Sequence, residues 1–203
     1  DEKIMVRKIN KILLELKEIE IEKILKNLKI TKKQFSNYKR RDSYPAKFVL
    51  ALNKKTQNKI YSVGKIAIKR DNVEVPILIK LEKNLLEVIG LYIAEGYSRS
   101  IVLKKGLNQV YISSNDLVLR NFIKQTIKKS FGLVPSENKQ DRVTFSSKIL
   151  YLFFTKMLCC GSCAKDKRIP SVLLNLPKSK LASLLRGYFE GDGSVSKRDL
   201  RIS

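Results

Sequence analysis

Two short stretches of this 203-residue chain end in the same chemistry. Leu85 to Gly96 reads LLEVIGLYIAEG, and Ala182 to Gly193 reads ASLLRGYFEGDG. Aligned, they place Gly90 on Gly187, Ala94 on Gly191, Glu95 on Asp192 and Gly96 on Gly193, each pair 97 positions apart. A constant offset of this kind predicts two copies of one folding unit. Each copy carries two small residues four apart, Gly90 and Ala94, then Gly187 and Gly191, a spacing that lets helix backbones touch. If the two helices pack in parallel, Glu95 and Asp192 meet at one end, with Gly96 and Gly193 as C-terminal caps able to take a positive φ. That placement is unfavourable by itself: each acid sits at the negative end of a helix dipole, worth about 0.3–1 kcal/mol, beside a second acid. A divalent cation offsets the repulsion, and Mg²⁺, or Mn²⁺ in its place, takes carboxylate, water and phosphate oxygens. Paired acids holding a metal at a phosphodiester stabilise the attacking and leaving oxygens of strand cleavage. One copy would read as a solvent-facing acid ending an amphipathic helix. Two copies in register favour a site.

The composition narrows the chemistry further. There is no histidine, which excludes Ser-His-Asp triads, Cys-His pairs, C₂H₂ zinc fingers and every nuclease with a histidine base. Hydrolysis must then rest on carboxylates, a metal and lysine. Lys and Arg number 42 against 19 Asp and Glu, a formal charge of +23 spread along the chain without a basic tail. Charge alone fits two readings, a surface for a polyanion such as nucleic acid and a merely lysine-rich surface. Cys159, Cys160 and Cys163 fall short of a structural zinc set and are odd in number for a disulfide framework. They are expected to be reduced, in a cytoplasmic protein. No signal peptide and no apolar run of membrane-spanning length is found, so no membrane partner is expected.

Several elements must position these residues. From Ile4 to Leu28 apolar residues recur at helical spacing. Ile30 to Pro45 reads as a turn followed by a helix, with Thr31 as its cap and Pro45 as its stop. That helix bears Lys33, Asn37, Arg40 and Arg41 and is similar to the recognition helix of a helix-turn-helix unit; a solvated basic helix fits as well. From Ile60 to Leu81 the pattern alternates around Arg70-Asp71-Asn72 and predicts a β-hairpin, with Pro76 placing its second strand at an edge. The expected organisation is a helical segment over 1–59, a hairpin connector over 60–81, a first catalytic half over 82–175 and the start of a second over 176–203.

The motifs Ile89 to Gly96 (IGLYIAEG) and Leu185 to Gly193 (LRGYFEGDG) resemble the two signatures of LAGLIDADG homing endonucleases. The closer likeness is to the two-motif branch found inside inteins and as free-standing proteins. Lys167-Arg168-Ile169-Pro170, followed by Asn175-Leu176-Pro177, also resembles that branch. The first motif departs from the pattern in having Glu for Asp. The resemblance implies an α+β fold, the αββαββα half repeated with pseudo-symmetry, and double-strand DNA cleavage by a protein that is monomeric when full length. It implies that Glu95 and Asp192 bind catalytic Mg²⁺ or Mn²⁺, with no small-molecule cofactor. Glu190 is the poorer candidate. It further implies a basic residue near the end of the last strand, close to the metal site, and Lys148 falls at that strand-to-helix junction.

Between the motifs the sequence follows this plan. Ser98 to Lys104 and Gln109 to Ser113 alternate, with Lys105-Gly106 as the turn, and Leu117 to Phe131 has helical spacing. Arg142, Thr144, Ser146 and Lys148 share one face of the next strand, with Gln109, Tyr111 and Ser113 as the matching face of its neighbour. With Arg99, Lys104, Lys105 and Lys139 they form a candidate DNA surface suited to the major groove. From Arg99 to Lys148 there are ten Lys or Arg against three Asp or Glu. After Gly193 only ten residues follow, too few for a second half, so the chain is expected to be a fragment or a decayed copy that cleaves weakly or not at all. It also lacks an initial Cys or Ser and a terminal His-Asn pair, so no splicing module is expected. A DNA-binding regulator and an RNA maturase on the same scaffold are the competing readings.

Overall fold

The structure is a computed structural model that describes residues 4–69, 73–101, 107–138, 141–195 and 200–202. Two compact units divide at 79/80, each with its own core. Unit 1 runs β1 (Ile4–Arg7), α1 (Asn10–Leu13), α2 (Glu18–Asn27), α3 (Lys32–Arg40), β2 (Ser43–Pro45), α4 (Ala46–Leu50), α5 (Lys54–Val63), β3 (Lys65–Ile68) and β4 (Glu74–Pro76). Its sheet has the order β2-β1-β3-β4, antiparallel throughout. The core gathers Val6, Ile9, Leu13, Leu25, Ile30, Tyr44, Phe48 and Ile60.

Two expectations for this unit change. Ile4–Arg7 is a strand and not the start of a helix, because its backbone pairs with β2 on one side and β3 on the other while Met5 and Val6 are buried. Local helical spacing loses to pairing partners distant in sequence. The hairpin is shorter than its pattern: Tyr61 and Val63 belong to α5, and β3 and β4 join the sheet of unit 1. Pro76 lies on the edge strand β4, where its missing N–H disrupts no ladder.

Unit 2 begins with α6 (Lys83–Glu95), β5 (Gly96–Ile101), β6 (Leu107–Ser113), α7 (Leu117–Phe131), β7 (Ser136–Asn138), β8 (Arg142–Ser146) and α8 (Lys148–Leu152), which continues as a π-helical turn, Phe153–Met157. This is the order α–β–β–α–β–β–α, and the fold is α+β. After a 3₁₀ turn, Ala164–Asp166, come α9 (Ser171–Leu174), α10 (Lys178–Asp192) and a two-stranded ribbon, β9 (Gly193–Val195) and β10 (Leu200–Ile202). The four-stranded sheet has the order β5-β6-β8-β7. Its alternation buries Val110, Ile112, Val143 and Phe145 against Ile123, Ile127 and Phe131 of α7 and against α8. α7 is capped by Asp116, whose carboxylate accepts the Val118 N–H at 2.7 Å, and ends at Gly132 with φ 71°. Among the described residues no helix is long and apolar enough to cross a membrane.

Candidate active site

α6 and α10 pack backbone against backbone. A Cβ on Gly90 would lie 2.1 Å from the Leu184 carbonyl oxygen, one on Gly187 1.9 Å from that of Glu87, and one on Gly191 2.4 Å from the Cβ of Ala94. Gly90 meets the stretch from Leu184 to Tyr188, and Ala94, one turn further along α6, meets Gly191, so the two run parallel. Only glycine permits such proximity, and the small-residue spacing of the two motifs is what produces it. Glu95 is the last residue of α6 and Asp192 the last of α10.

The two carboxylates lie within each other's field. Glu95 is open to solvent, yet neighbouring protein and then the Asp192 charge push its pKa above the ordinary carboxylate range. A site that resists a second negative charge in this way suits a cation, and its hard oxygen donors suit Mg²⁺ or Mn²⁺. Among the described residues no group of three or more histidine, cysteine or carboxylate side chains is placed to hold a metal ion. A cleft of about 260 Å³ borders Glu95, lined also by Ser113, Ser114, Asn115 and Glu190. Glu190 therefore comes closer to the site than its spacing implied.

Gly96 differs from its expectation. Its φ of −85° and ψ of 161° are extended, so it is no left-handed cap. Glycine is needed there for space, because a Cβ would fall 2.3 Å from both the carbonyl oxygen and the ring of Tyr92. The helix therefore passes straight into β5.

A basic group whose role was missed in the sequence lies against the last turn of α6, within the field of Asp192. Lys167 donates to the Tyr92 carbonyl oxygen in the last turn of α6, and its Nζ sits 3.3 Å from the Tyr92 ring centroid. Burial pulls its pKa down to about 8, against the attraction of Cys160, Asp166, Cys163 and Asp192. The Lys167-Arg168-Ile169-Pro170 run was the available signal, but nothing in its spacing shows that the lysine turns inward. The loop before it is tied to the helix: the Tyr92 hydroxyl donates to the Gly161 carbonyl at 2.7 Å and lies 2.7 Å from Ser98 Oγ. The Asp166 carboxylate accepts the Ser162 and Cys163 N–H groups at 2.8 and 2.7 Å, which holds it well below the usual range. All three cysteines are free; burial pushes the Cys160 thiol up to about 12.

Lys148 does not share the strand face. β8 stops at Ser146, Ser147 caps α8 by accepting the Leu150 N–H, and Lys148 is the exposed first residue of that helix. The remaining face is as alternation predicts. Register places Arg99 opposite Gln109 and Gln109 opposite Ser146, then Tyr97, Tyr111 and Thr144 in the next row, then Ser113 and Arg142. Arg99 donates twice to Gln109 Oε1 at 3.0 and 2.8 Å and lies 5.2 Å over the Tyr111 ring. Gln109 donates to Ser146 Oγ at 3.2 Å, and the Tyr111 hydroxyl donates to Gln109. Thr144, by contrast, is only 7% exposed, enclosed between β6 and β7. Lys104, Lys105 and Lys139 lie outside the described residues. In unit 1, Lys33, Asn37 and Arg40 are exposed on α3, and Arg41 just beyond it.

No family profile matches the sequence. Over 169 residues the chain is 36% identical to the DNA polymerase II large subunit of Thermococcus kodakarensis, covering 82% of this chain and 9% of that protein. Over 126 residues it is 34% identical to a DNA polymerase of Thermococcus litoralis, covering 60% of this chain and 7% of that one. A solved structure of I-DmoI with its nicked target DNA and Mn is similar at TM-score 0.43 and 18% identity, covering 60% of this chain and 68% of that one. In sequence, then, the chain is similar to a segment that makes up less than a tenth of each of these polymerases.

Proposed function

We propose that unit 2 carries the core of a site-specific, metal-dependent DNA endonuclease of the LAGLIDADG homing type. The observation that carries the reading is the parallel glycine contact of α6 and α10, which ends in a mutually repelling Glu95–Asp192 pair. A pure DNA binder need not keep two acids beside phosphates. The short matched share of two long polymerases supports an element inserted in a host polymerase gene.

Glu95 and Asp192 would hold Mg²⁺ or Mn²⁺, which supplies Lewis-acid stabilisation of charge on the scissile phosphate. The chain's own residues do the rest. Lys167, with a pKa near 8 and within the field of Asp192, can hold or release a proton near neutral pH. Arg99, Gln109, Tyr111, Ser113, Arg142 and Ser146 present a polar, basic surface to the duplex. Two tyrosines on that face, Tyr97 and Tyr111, have centroids 6.2 Å apart and stiffen it.

The test uses the protein in its full reading frame with a duplex of the host polymerase gene from which the matching segment has been deleted. Cleavage with Mg²⁺ or Mn²⁺, lost in Glu95→Gln and Asp192→Asn while duplex binding persists, is the expected result. Binding without cleavage in the unaltered protein would make it a regulator. Preference for an RNA over the duplex would make it a maturase.

A further inference from the structure

Unit 1 contains a surface that the cleavage chemistry does not use. α3 is amphipathic in an unusual sense: its inner face is aromatic and its outer face is basic and polar. Phe35 packs against Tyr44 and Phe48 with ring centroids 6.0 and 5.5 Å apart, and Tyr38 lies 6.4 Å from Tyr44. On the opposite side Lys33, Ser36, Asn37 and Arg40 follow the i, i+3, i+4, i+7 spacing of one helical stripe, and all four are exposed.

The structure holds this stripe rigidly. α2 ends in a Schellman motif, in which the Ile30 N–H bonds the Leu25 carbonyl at 2.9 Å and the Lys29 N–H bonds that of Lys26 at 3.1 Å. Lys29 takes the left-handed conformation there, φ 53°, and Leu25 and Ile30 are both buried. α3 then starts in a capping box of Thr31 and Gln34. The nearby acids face elsewhere. Asp42 accepts the backbone N–H groups of Ile9 and Asn10, both at 2.9 Å, and Glu22 pairs with Lys32 on the flank of the helix at 3.2 Å.

We propose that α3 is a second DNA-reading element, its Lys33–Ser36–Asn37–Arg40 stripe entering the major groove. A helix about 10–12 Å across fits a groove about 12 Å wide. Lys33 and Arg40 supply charge for phosphate or guanine, and Asn37 supplies a carboxamide of the kind that reads adenine. Arg40 Nη2 donates to Asn37 Oδ1 at 3.4 Å, which orients the pair together. The stripe has no apolar residue to enter a membrane, and the deep, narrow major groove of A-form RNA does not admit a helix. The inference rests on the reading of the whole chain as a duplex-DNA binder.

The test compares three variants of the full chain on a mixed-sequence 40-base-pair duplex: K33A/R40A, N37A, and K54A/K55A, which removes equal charge from the exposed start of α5. The slope of log affinity against log salt changes by about 0.9 for each phosphate that the protein ceases to neutralise. K33A/R40A should flatten it by one to two such steps, and K54A/K55A should leave it unchanged. N37A should keep the slope but lose one position of base preference in selection from a randomised duplex pool. Equal slopes for the two double variants, or an unchanged selection profile for N37A, would overturn the inference and leave the nuclease reading intact. If the unaltered chain binds no duplex, both fail together.

Discussion

Replacing Gly187 by alanine tests the contact on which the acid pair depends. In an exposed helix this change stabilises by about 1 kcal/mol, because alanine loses less backbone freedom. Here the sign should reverse. The added Cβ would lie 1.9 Å from the Glu87 carbonyl oxygen, whereas ordinary contact begins at 3.4 Å, so the helices must part by about 1.5 Å. The obstructing atoms are backbone, which has no rotamer to yield, so the overpacking belongs at the upper end of the usual range, about 3 kcal/mol. Subtracting the favourable alanine effect leaves a net destabilisation of about 2 kcal/mol, or about 30-fold in an opening equilibrium. Amide hydrogen exchange read by mass spectrometry measures this directly: peptides from α6 and α10 should exchange about 30-fold faster, while peptides from α2 and α3 stay unchanged. Equal or greater protection in the variant would mean that the helices do not meet backbone to backbone, and the case for a paired-acid site would fail.

Other perturbations address the groups around that contact. Asp192→Asn removes one of the two causes that raise Glu95; its NMR titration midpoint should fall yet stay above the ordinary value, because partial desolvation by neighbouring protein is the larger cause. Since the proton competes with the cation, Mn²⁺ binding to the unaltered protein should weaken as pH falls through that raised midpoint. Lys167 has a folded pKa near 8, below its unfolded value near 10.4, so its buried charge destabilises the fold fully below pH 8 and is relieved as pH rises. Denaturant stability should therefore rise by at most about 2 kcal/mol between pH 7.5 and 9.5, and Lys167→Met should remove that rise. Tyr92→Phe leaves the Gly161 carbonyl without its hydroxyl donor, a cost of about 1–3 kcal/mol, visible as faster exchange in the 159–167 loop.

The parts of this architecture written in short-range pattern were legible from the residues alone. The span of α7, the Thr31 cap, the inward and outward alternation of β6 and the glycine spacing of the two motifs all follow from rules acting within a turn or a strand. What depended on distant partners was not. Ile4–Arg7 carries helix-like spacing and becomes a strand because β2 and β3 lie on either side of it. Lys148 stands at the strand-to-helix junction that its sequence suggests, but not on the strand face, because β8 stops at Ser146 and Ser147 caps α8. Lys167 stood out only as part of the Lys167-Arg168-Ile169-Pro170 run, and it is the stacking on Tyr92 and the loop that folds back through Gly161 that turn it inward. Gly96 was assigned the right residue type for the wrong reason, conformational freedom where the need is clearance from Tyr92.

Both acids are the final helical residue before a strand begins: Glu95 is followed directly by β5, and Asp192 directly by β9. No loop separates either carboxylate from a β-strand, so there is no slack to absorb a shift of that strand. A twist imposed on either strand by whatever lies against it is carried, undamped, to the spacing of the two carboxylates. In the proposed nuclease, grip and cutting edge would thus be joined like the handles and blades of shears, with the glycine contact as the pivot.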